Sequence, residues 1–160
     1  MGMRIYSAGF DTVGVGTAVQ DIFSLLAGTT KGIQLHHIHL EAASITTAAQ
    51  VRLRLKRGTA TVSQGSGGTA PTPGFVDAGD TLASTATLHC NDTTPATTTG
   101  NFTTLLEYFQ WNVLLPFDYM PGPEDADRET ALVSQALILD LPAVITATTM
   151  SGFIKWREIP

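Results

Sequence analysis

One cysteine, Cys90, stands in 160 residues, so no internal disulfide can form. Nothing in the cysteine usage points to an oxidising compartment. Charge is scarce too: Asp, Glu, Lys and Arg make up 14% of the chain, against about a quarter in ordinary globular domains. A surface this poor in charge is expected to be partly covered by other subunits, although Thr-rich β proteins also run low in charge. Basic residues are the rarer sign, nine against fourteen acidic, for a net charge of −5. That balance argues against general nucleic-acid binding, which needs a basic footprint to neutralise phosphate. Apolar runs such as Leu137-Ile138-Leu139 are far too short to span a bilayer. The polar residues following Arg4 interrupt any leader-like apolar run, so the expectation is a soluble chain made in a cytoplasm.

No sequence repeat is evident, which argues against solenoids and propellers. What the chain does carry is alternation. In Val51-Arg52-Leu53-Arg54-Leu55-Lys56-Arg57 the apolar residues take every second position and basic residues fill the gaps. Period two is the mark of a β-strand with one face in a core and the other in water. Twenty-four threonines add to that reading, since a branched side chain suits a pleated surface. The length fits one domain, residues 1–160, with a core large enough to need no disulfide or metal.

Along the chain, residues 3–16 predict one or two short strands. Residues 18–26 are ambiguous, with Val19, Ile22, Phe23 and Leu26 at helical spacing, and are read as strand. Residues 32–42 and 49–57 are expected to pair as neighbours. Residues 58–80 read as a long Gly/Ser/Thr/Pro loop, either functional or an extended arm. A strand over 81–89 leads to a turn-rich stretch over 91–101. The tract 103–117 reads as one strand, with Leu105, Phe109, Trp111, Val113 and Leu115 sharing a face, Glu107 the exception. Leu106, Tyr108 and Leu114 lie on the other, so that much of it is expected to be buried on both sides. A loop with Glu124, Asp125 and Asp127 follows, then closing strands over 130–141 and 144–158. About eight strands and little or no helix predict an all-β, antiparallel two-sheet sandwich, jelly-roll-like.

The one cluster with metal-binding chemistry is His36-His37-Ile38-His39. On a strand His37, His39 and Glu41 share a face, with Leu35 before them, and two imidazoles with a carboxylate suit a divalent metal. The spacing is similar to a fragment of the cupin first motif, but Glu41 follows too closely and the downstream glycine spacing is absent. The competing reading is a strand whose imidazoles hydrogen-bond across a sheet or at a subunit contact. Cys90 beside His89 cannot pair with it along one strand and reads as an inert buried thiol. No serine sits in a nucleophile elbow. Gly65-Ser66-Gly67-Gly68 lacks a following lysine and reads as flexible linker. The basic residues Arg52, Arg54, Lys56 and Arg57 have two readings: a solvated face with cross-strand partners such as Glu41, or a docking surface for an acidic neighbour such as the Glu124–Asp127 loop of another copy. Phe75 and Tyr119, on loops beside prolines, are candidate interface anchors.

The segments "MRIYSAGFDTVGVGTAVQDIFSLLAGTTKGIQLHHIHL", "VRLRLKRGTATVSQGSGGTAPTP" and "ITATTMSGFIKWREIP" together resemble small virion proteins of tailed bacteriophages and prophages. Such proteins are similar in size and fold to head decoration, or cement, proteins. The resemblance implies a non-enzymatic subunit of the virion that needs no cofactor. It implies a homo-oligomer, a trimer foremost, bound to the major capsid protein or other virion subunits. Two alternatives stay open. One is a receptor- or carbohydrate-binding sandwich of a phage tail, stacking sugars on Tyr108, Trp111 and Tyr119. The other is a cupin-like metal protein centred on His37, His39 and Glu41.

Overall fold

Val51, Leu53 and Leu55 are each 1% exposed while Arg52 is exposed, so the alternation read in the sequence is the alternation of the folded strand. The computed structural model describes residues 4–16, 18–43, 49–124, 128–143, 145 and 148–160, and among them there is no helix. The strands are β1 (Ile5–Val15), β2 (Gln20–Leu26), β3 (Gly32–Ala42), β4 (Gln50–Gly58), β5 (Val62–Ser63), β6 (Gly74–Phe75), β7 (Thr87–Asp92), β8 (Thr97–Thr98), β9 (Phe102–Asn112), β10 (Phe117–Tyr119), β11 (Thr130–Ala131), β12 (Ala136–Leu141) and β13 (Thr148–Ile159).

Eleven of them form two large antiparallel sheets, and β5 pairs with β8 apart from these. Sheet A has the order β10-β3-β13-β1-β6, with β11 also on β3; sheet B has the order β7-β2-β12-β4-β9. Taking β6 and β7 as edge additions leaves β1-β13-β3-β10 facing β2-β12-β4-β9. The chain passes from one sheet to the other at each step except β4 to β9. That is the connectivity of a jelly roll, two Greek keys folded into a double sheet. Residues 32–42 and 49–57 therefore do not pair with each other. β3 pairs with β13 and β10, and β4 pairs with β12 and β9. Neighbour pairing is the cheaper local choice, but here it yields to burial of both inner faces.

The core lies between the sheets. Tyr6, Phe10, Leu35, Ile38, Leu40, Ile154 and Trp156 of sheet A meet Phe23, Leu25, Leu53, Leu55, Leu137 and Leu139 of sheet B, all at most 9% exposed. Phe10 and Phe23 touch across it with ring centroids 5.4 Å apart. The long insertion between β4 and β9, residues 59–101, is not a free arm. Val62 and Ala96 from it pack on Ala136 and Ile138, on the outer side of sheet B. With both faces of β2 covered, Gln20 to Leu25 are all buried, which is why its sequence shows no period of two.

The glycine run inside the insertion holds a fixed place. Ser66 bridges to Thr94 and Thr69 to Cys90. A Cβ on Gly68 would sit 2.0 Å from the Cys90 carbonyl oxygen, and one on Gly65 would sit 2.0 Å from that of Thr94. The glycines are there because backbone meets backbone, not to make a flexible linker.

Other boundaries move for local reasons. The strand expected over 81–89 begins only at Thr87, because the Ser84 hydroxyl and the Thr85 and Ala86 amides turn to the Glu158 carboxylate. The tract 103–117 breaks after Asn112, where the Leu114 amide donates to the Asn112 side chain and the Leu115 amide to its carbonyl. Beyond the break the chain has changed sheets. Tyr108, Leu114 and Leu115 are 54%, 48% and 62% exposed, so the tract is not buried on both sides. The stretch 130–141 likewise divides into β11 in sheet A and β12 in sheet B. Phe23→Ala removes a fully buried ring from the centre of this core and is expected to cost about 3–5 kcal/mol, read as a fall in the urea midpoint at unchanged m-value.

Candidate functional site

β3 carries a register shift against β13: Lys155 is opposite His37, but Trp156 is opposite Leu35. The extra residue, His36, is a β-bulge that reverses which parity faces inward. Ile33 and Leu35 point into the core before it, Ile38 and Leu40 after it, all fully buried. Leu35 is therefore not on the imidazole face. His37, His39 and Glu41 all lie on the outer side of sheet A, as their alternation predicts.

That face brings in a residue the sequence reading passed over. β10 pairs with β3 so that Asp118 lies beside His39. Asp118 Oδ1 is 2.9 Å from His37 Nε2 and 2.9 Å from His39 Nδ1. The two imidazoles hold its carboxyl below the usual carboxylate range, the His39 hydrogen bond most of all. Glu41 stands on the far side of the His39 ring, its Oε2 3.9 Å from Nε2. Phe153, opposite His39 on β13, stacks on that ring at 5.2 Å and meets His37 edge-on at 5.1 Å. Lys155 Nζ lies 5.0 Å from the Phe153 centroid. Asp118 was read as part of a loop; the signal that could have found it is the short alternation Phe117-Asp118-Tyr119, with Phe117 buried and Asp118 exposed.

Arg52, Arg54 and Lys56 of β4 face outward on sheet B, but Arg54 and Lys56 are turned to the protein itself, and Arg57 shares the inward parity of Leu53 and Leu55. Arg54 grips Asp140 of the neighbouring β12 with both carboxylate oxygens, at 3.0 and 2.6 Å, and Lys56 Nζ reaches the same group at 2.9 Å. The Asp140 side chain is 3% exposed. The cross-strand partner is thus Asp140, since Glu41 belongs to the other sheet. Arg57 donates to the Thr130 carbonyl. Arg52 is exposed, 5.5 Å from the Tyr108 ring centroid. Glu124 is exposed; Asp125 and Asp127 lie outside the described residues.

Asp140 belongs to a row of buried carboxylates. Asp21 is paired in register with Asp140 on one side and Asp92 on the other, and all three are at most 2% exposed. Asp92 accepts from His89 at 3.2 Å. Asp21 Oδ2 accepts the Ala96 amide at 2.7 Å, while its Oδ1 has Lys56 only at 3.9 Å. Burial pushes the Asp21 carboxyl up to about 6, against the pull of the Ala96 amide and Lys56.

The remaining candidates are separated. Phe75 is 37% exposed and leans on Tyr6 at the β6 edge. Tyr119 is part-buried, its hydroxyl on Glu129. Trp111 is 4% exposed, with its ring N–H on the Leu115 carbonyl at 2.7 Å. Tyr108 alone of the three aromatics proposed to stack on sugars presents itself to solvent. Cys90 is fully buried and its thiol is pushed up to about 12, by burial first and by Asp92 second, as an inert thiol should be. An open hollow of about 370 Å³ lies between Ala27, Thr30, Val62 and Thr85, without a titratable side chain.

No protein-family model matches the chain, and no curated protein or solved structure is significantly similar to it.

Two outcomes follow from the buried carboxylates. Removing both Arg54 and Lys56 would leave Asp140 buried and unpaired, with an expected cost of about 3–5 kcal/mol. Arg52→Ala should cost less than about 1 kcal/mol; chemical denaturation of both variants measures the contrast. Asp21 has a folded pKa above its unfolded value. Its contribution is therefore complete below about pH 4 and lost as pH rises through about 6. Asp21→Asn is expected to flatten that part of the stability–pH profile. It should raise stability at pH 7.5 by about 1–3 kcal/mol, and thermal melts across that range read it.

Proposed function

We propose that this chain is a non-enzymatic assembly subunit, a decoration or cement protein of a bacteriophage head, working through contacts with its own copies and with shell subunits. The observation that carries the reading is the free edge of β9. It is eleven residues long, carries Glu107 as its single charge, and pairs with β4 on one side only among the described residues. Its first half slips register twice against β4, between Thr103 and Leu105 and between Leu105 and Glu107, while Glu107 to Asn112 pair without interruption. Lysines, prolines and bulges are the usual means of blunting such an edge; bulges do so in the first half of β9, but the regular half from Glu107 to Asn112 has no lysine, proline or bulge. Here the exposed apolar residues Leu114 and Leu115 follow it directly, with Met120 just beyond β10.

A second exposed apolar group sits at the opposite margin of sheet A, where Phe75, Val76 and Leu82 gather around Tyr6. The Val76 amide donates to the Ile5 carbonyl and the Tyr6 hydroxyl to that of Leu82. In a chain of which only 14% of residues are charged, these two margins are the contacts expected to be covered in a particle. Edge pairing supplies backbone hydrogen bonds and the apolar groups supply burial, at about 25 cal/mol per Å². The jelly roll is also a fold of viral capsid subunits, and the segment resemblance to phage virion proteins points the same way.

This reading relocates the contacts. Arg54 and Lys56 hold Asp140, so reversing their charge would test the fold before it tested docking. The clean variants are on the edge itself. Tyr108→Lys with Gln110→Lys is expected to leave the melting temperature within a few degrees while shifting the purified protein from oligomer to monomer, measured by light scattering after size exclusion. The same variant should fail to co-sediment with undecorated heads. A wild-type protein that stays monomeric at high concentration and does not bind such heads would overturn the proposal.

A further inference from the structure

We propose that the outer face of sheet A is a transition-metal site, with His37 Nε2, His39 Nδ1 and a carboxylate oxygen of Asp118 as its ligands. The three side chains present one donor atom each, all within 4.8 Å of one another. Both imidazole nitrogens are 2.9 Å from the same Asp118 oxygen. Ligands bound at about 2.0–2.2 Å to one ion and occupying adjacent corners of its shell stand about 2.9–3.5 Å apart. The observed spacings to Asp118 already fall in that range, so an ion asks for small side-chain adjustments rather than a move of the backbone.

The scaffold explains why the donors converge. His37 and His39 are two residues apart past the bulge, so the pleat sends both the same way. Asp118 is held beside His39 by the β10 ladder. Phe153 contacts both rings, stacked on one and edge-on to the other, which limits the rotations that would take the nitrogens away. Their side chains are 20% and 23% exposed, and that of Asp118 is 50% exposed. Ligands are therefore partly ordered while one side stays open to water.

Without an ion, each imidazole offers the N–H that Asp118 accepts. When a divalent ion binds, those two nitrogens coordinate as neutral imidazoles. Each ring keeps its one proton by carrying it on the opposite nitrogen, so no oxidant or further reactant is involved. For His39 the opposite nitrogen is Nε2, the one that faces Glu41 at 3.9 Å. A carboxylate there is the kind of outer partner that fixes the ring and raises its basicity. Glu41 thus serves as an orienting group, and Asp118 takes the ligand position.

Two imidazoles and one carboxylate select zinc, copper, nickel or cobalt over magnesium and calcium, which prefer all-oxygen shells. Three protein ligands leave at least one position open, the arrangement of a site that takes water or a donor from another molecule. The site lies on the outer face, away from the core, so it differs from a metal enclosed by a jelly roll and is independent of the edge contacts of β9.

Isothermal titration of the untagged full-length chain with zinc chloride, and separately with magnesium chloride, is the test. Expected are one zinc per chain, no magnesium binding, and loss of the zinc heat in His37→Ala/His39→Ala. Asp118→Asn should weaken zinc by about tenfold or more. Copper(II) added in equal amount should give a paramagnetic spectrum with hyperfine structure from two nitrogens. Far-ultraviolet dichroism of the variants checks that they fold, and the wild-type titration decides the matter even if they do not. Absence of saturable zinc binding at micromolar protein, or binding unchanged in the double histidine variant, would overturn the assignment.

Discussion

A single extra residue in β3 is the constraint on which the arrangement of this protein rests. Side chains on a strand alternate strictly, so a slip of one position sends every later residue to the other face. Ile33 and Leu35 are core residues. Continued without interruption, the same parity would put His37 and His39 between the sheets and turn Ile38 and Leu40 out to water. Two imidazoles in that apolar layer would lack partners, and each such group costs roughly 1–3 kcal/mol. The bulge at His36 removes the conflict. It keeps four aliphatic side chains inside and delivers both histidines to the face where Asp118 and Phe153 meet them.

A second constraint works on sheet B. Over β2 and β12 its outer face is covered by part of the 59–101 insertion, which leaves polar groups to be satisfied beneath the cover. Asp140 is met by Arg54 and Lys56, Asp92 by His89, and Asp21 by an amide and a distant ammonium. Asp21 has no close ion-pair partner among the described residues, and burial above all, with a smaller push from Asp140 and Asp92, raises its pKa. The basic residues of β4 are therefore largely a structural counterweight, not a spare charged surface. That shifts the expected contacts of an assembly to places where apolar surface and backbone edge are uncovered.

How much of this was legible in the sequence depended on whether the cause was local. Val51 to Leu55 sit on a strand with one wet face, so their alternation was readable and correct. Sheet membership was not readable, since 32–42 and 49–57 look like a hairpin until both inner faces must be buried at once. β2 lost its period because a distant insertion covers it. Gly65 and Gly68 have the composition of a linker, and only the approach of the Thr94 and Cys90 carbonyls shows their purpose. Of the candidate site, His37, His39 and Glu41 were found on one face as their spacing requires. Asp118 was missed because a strand of three residues carries too short a pattern, and the bulge was missed because it leaves no mark in composition.

The most direct test of the account is the pairing of β3 with β13, read from cross-strand proton contacts by nuclear magnetic resonance. The predicted result is that Lys155 faces His37 while Trp156 faces Leu35, with the His36 position skipped. An uninterrupted ladder, with Trp156 opposite His36 and an imidazole of His37 or His39 in contact with Phe23 or Leu53, would contradict it.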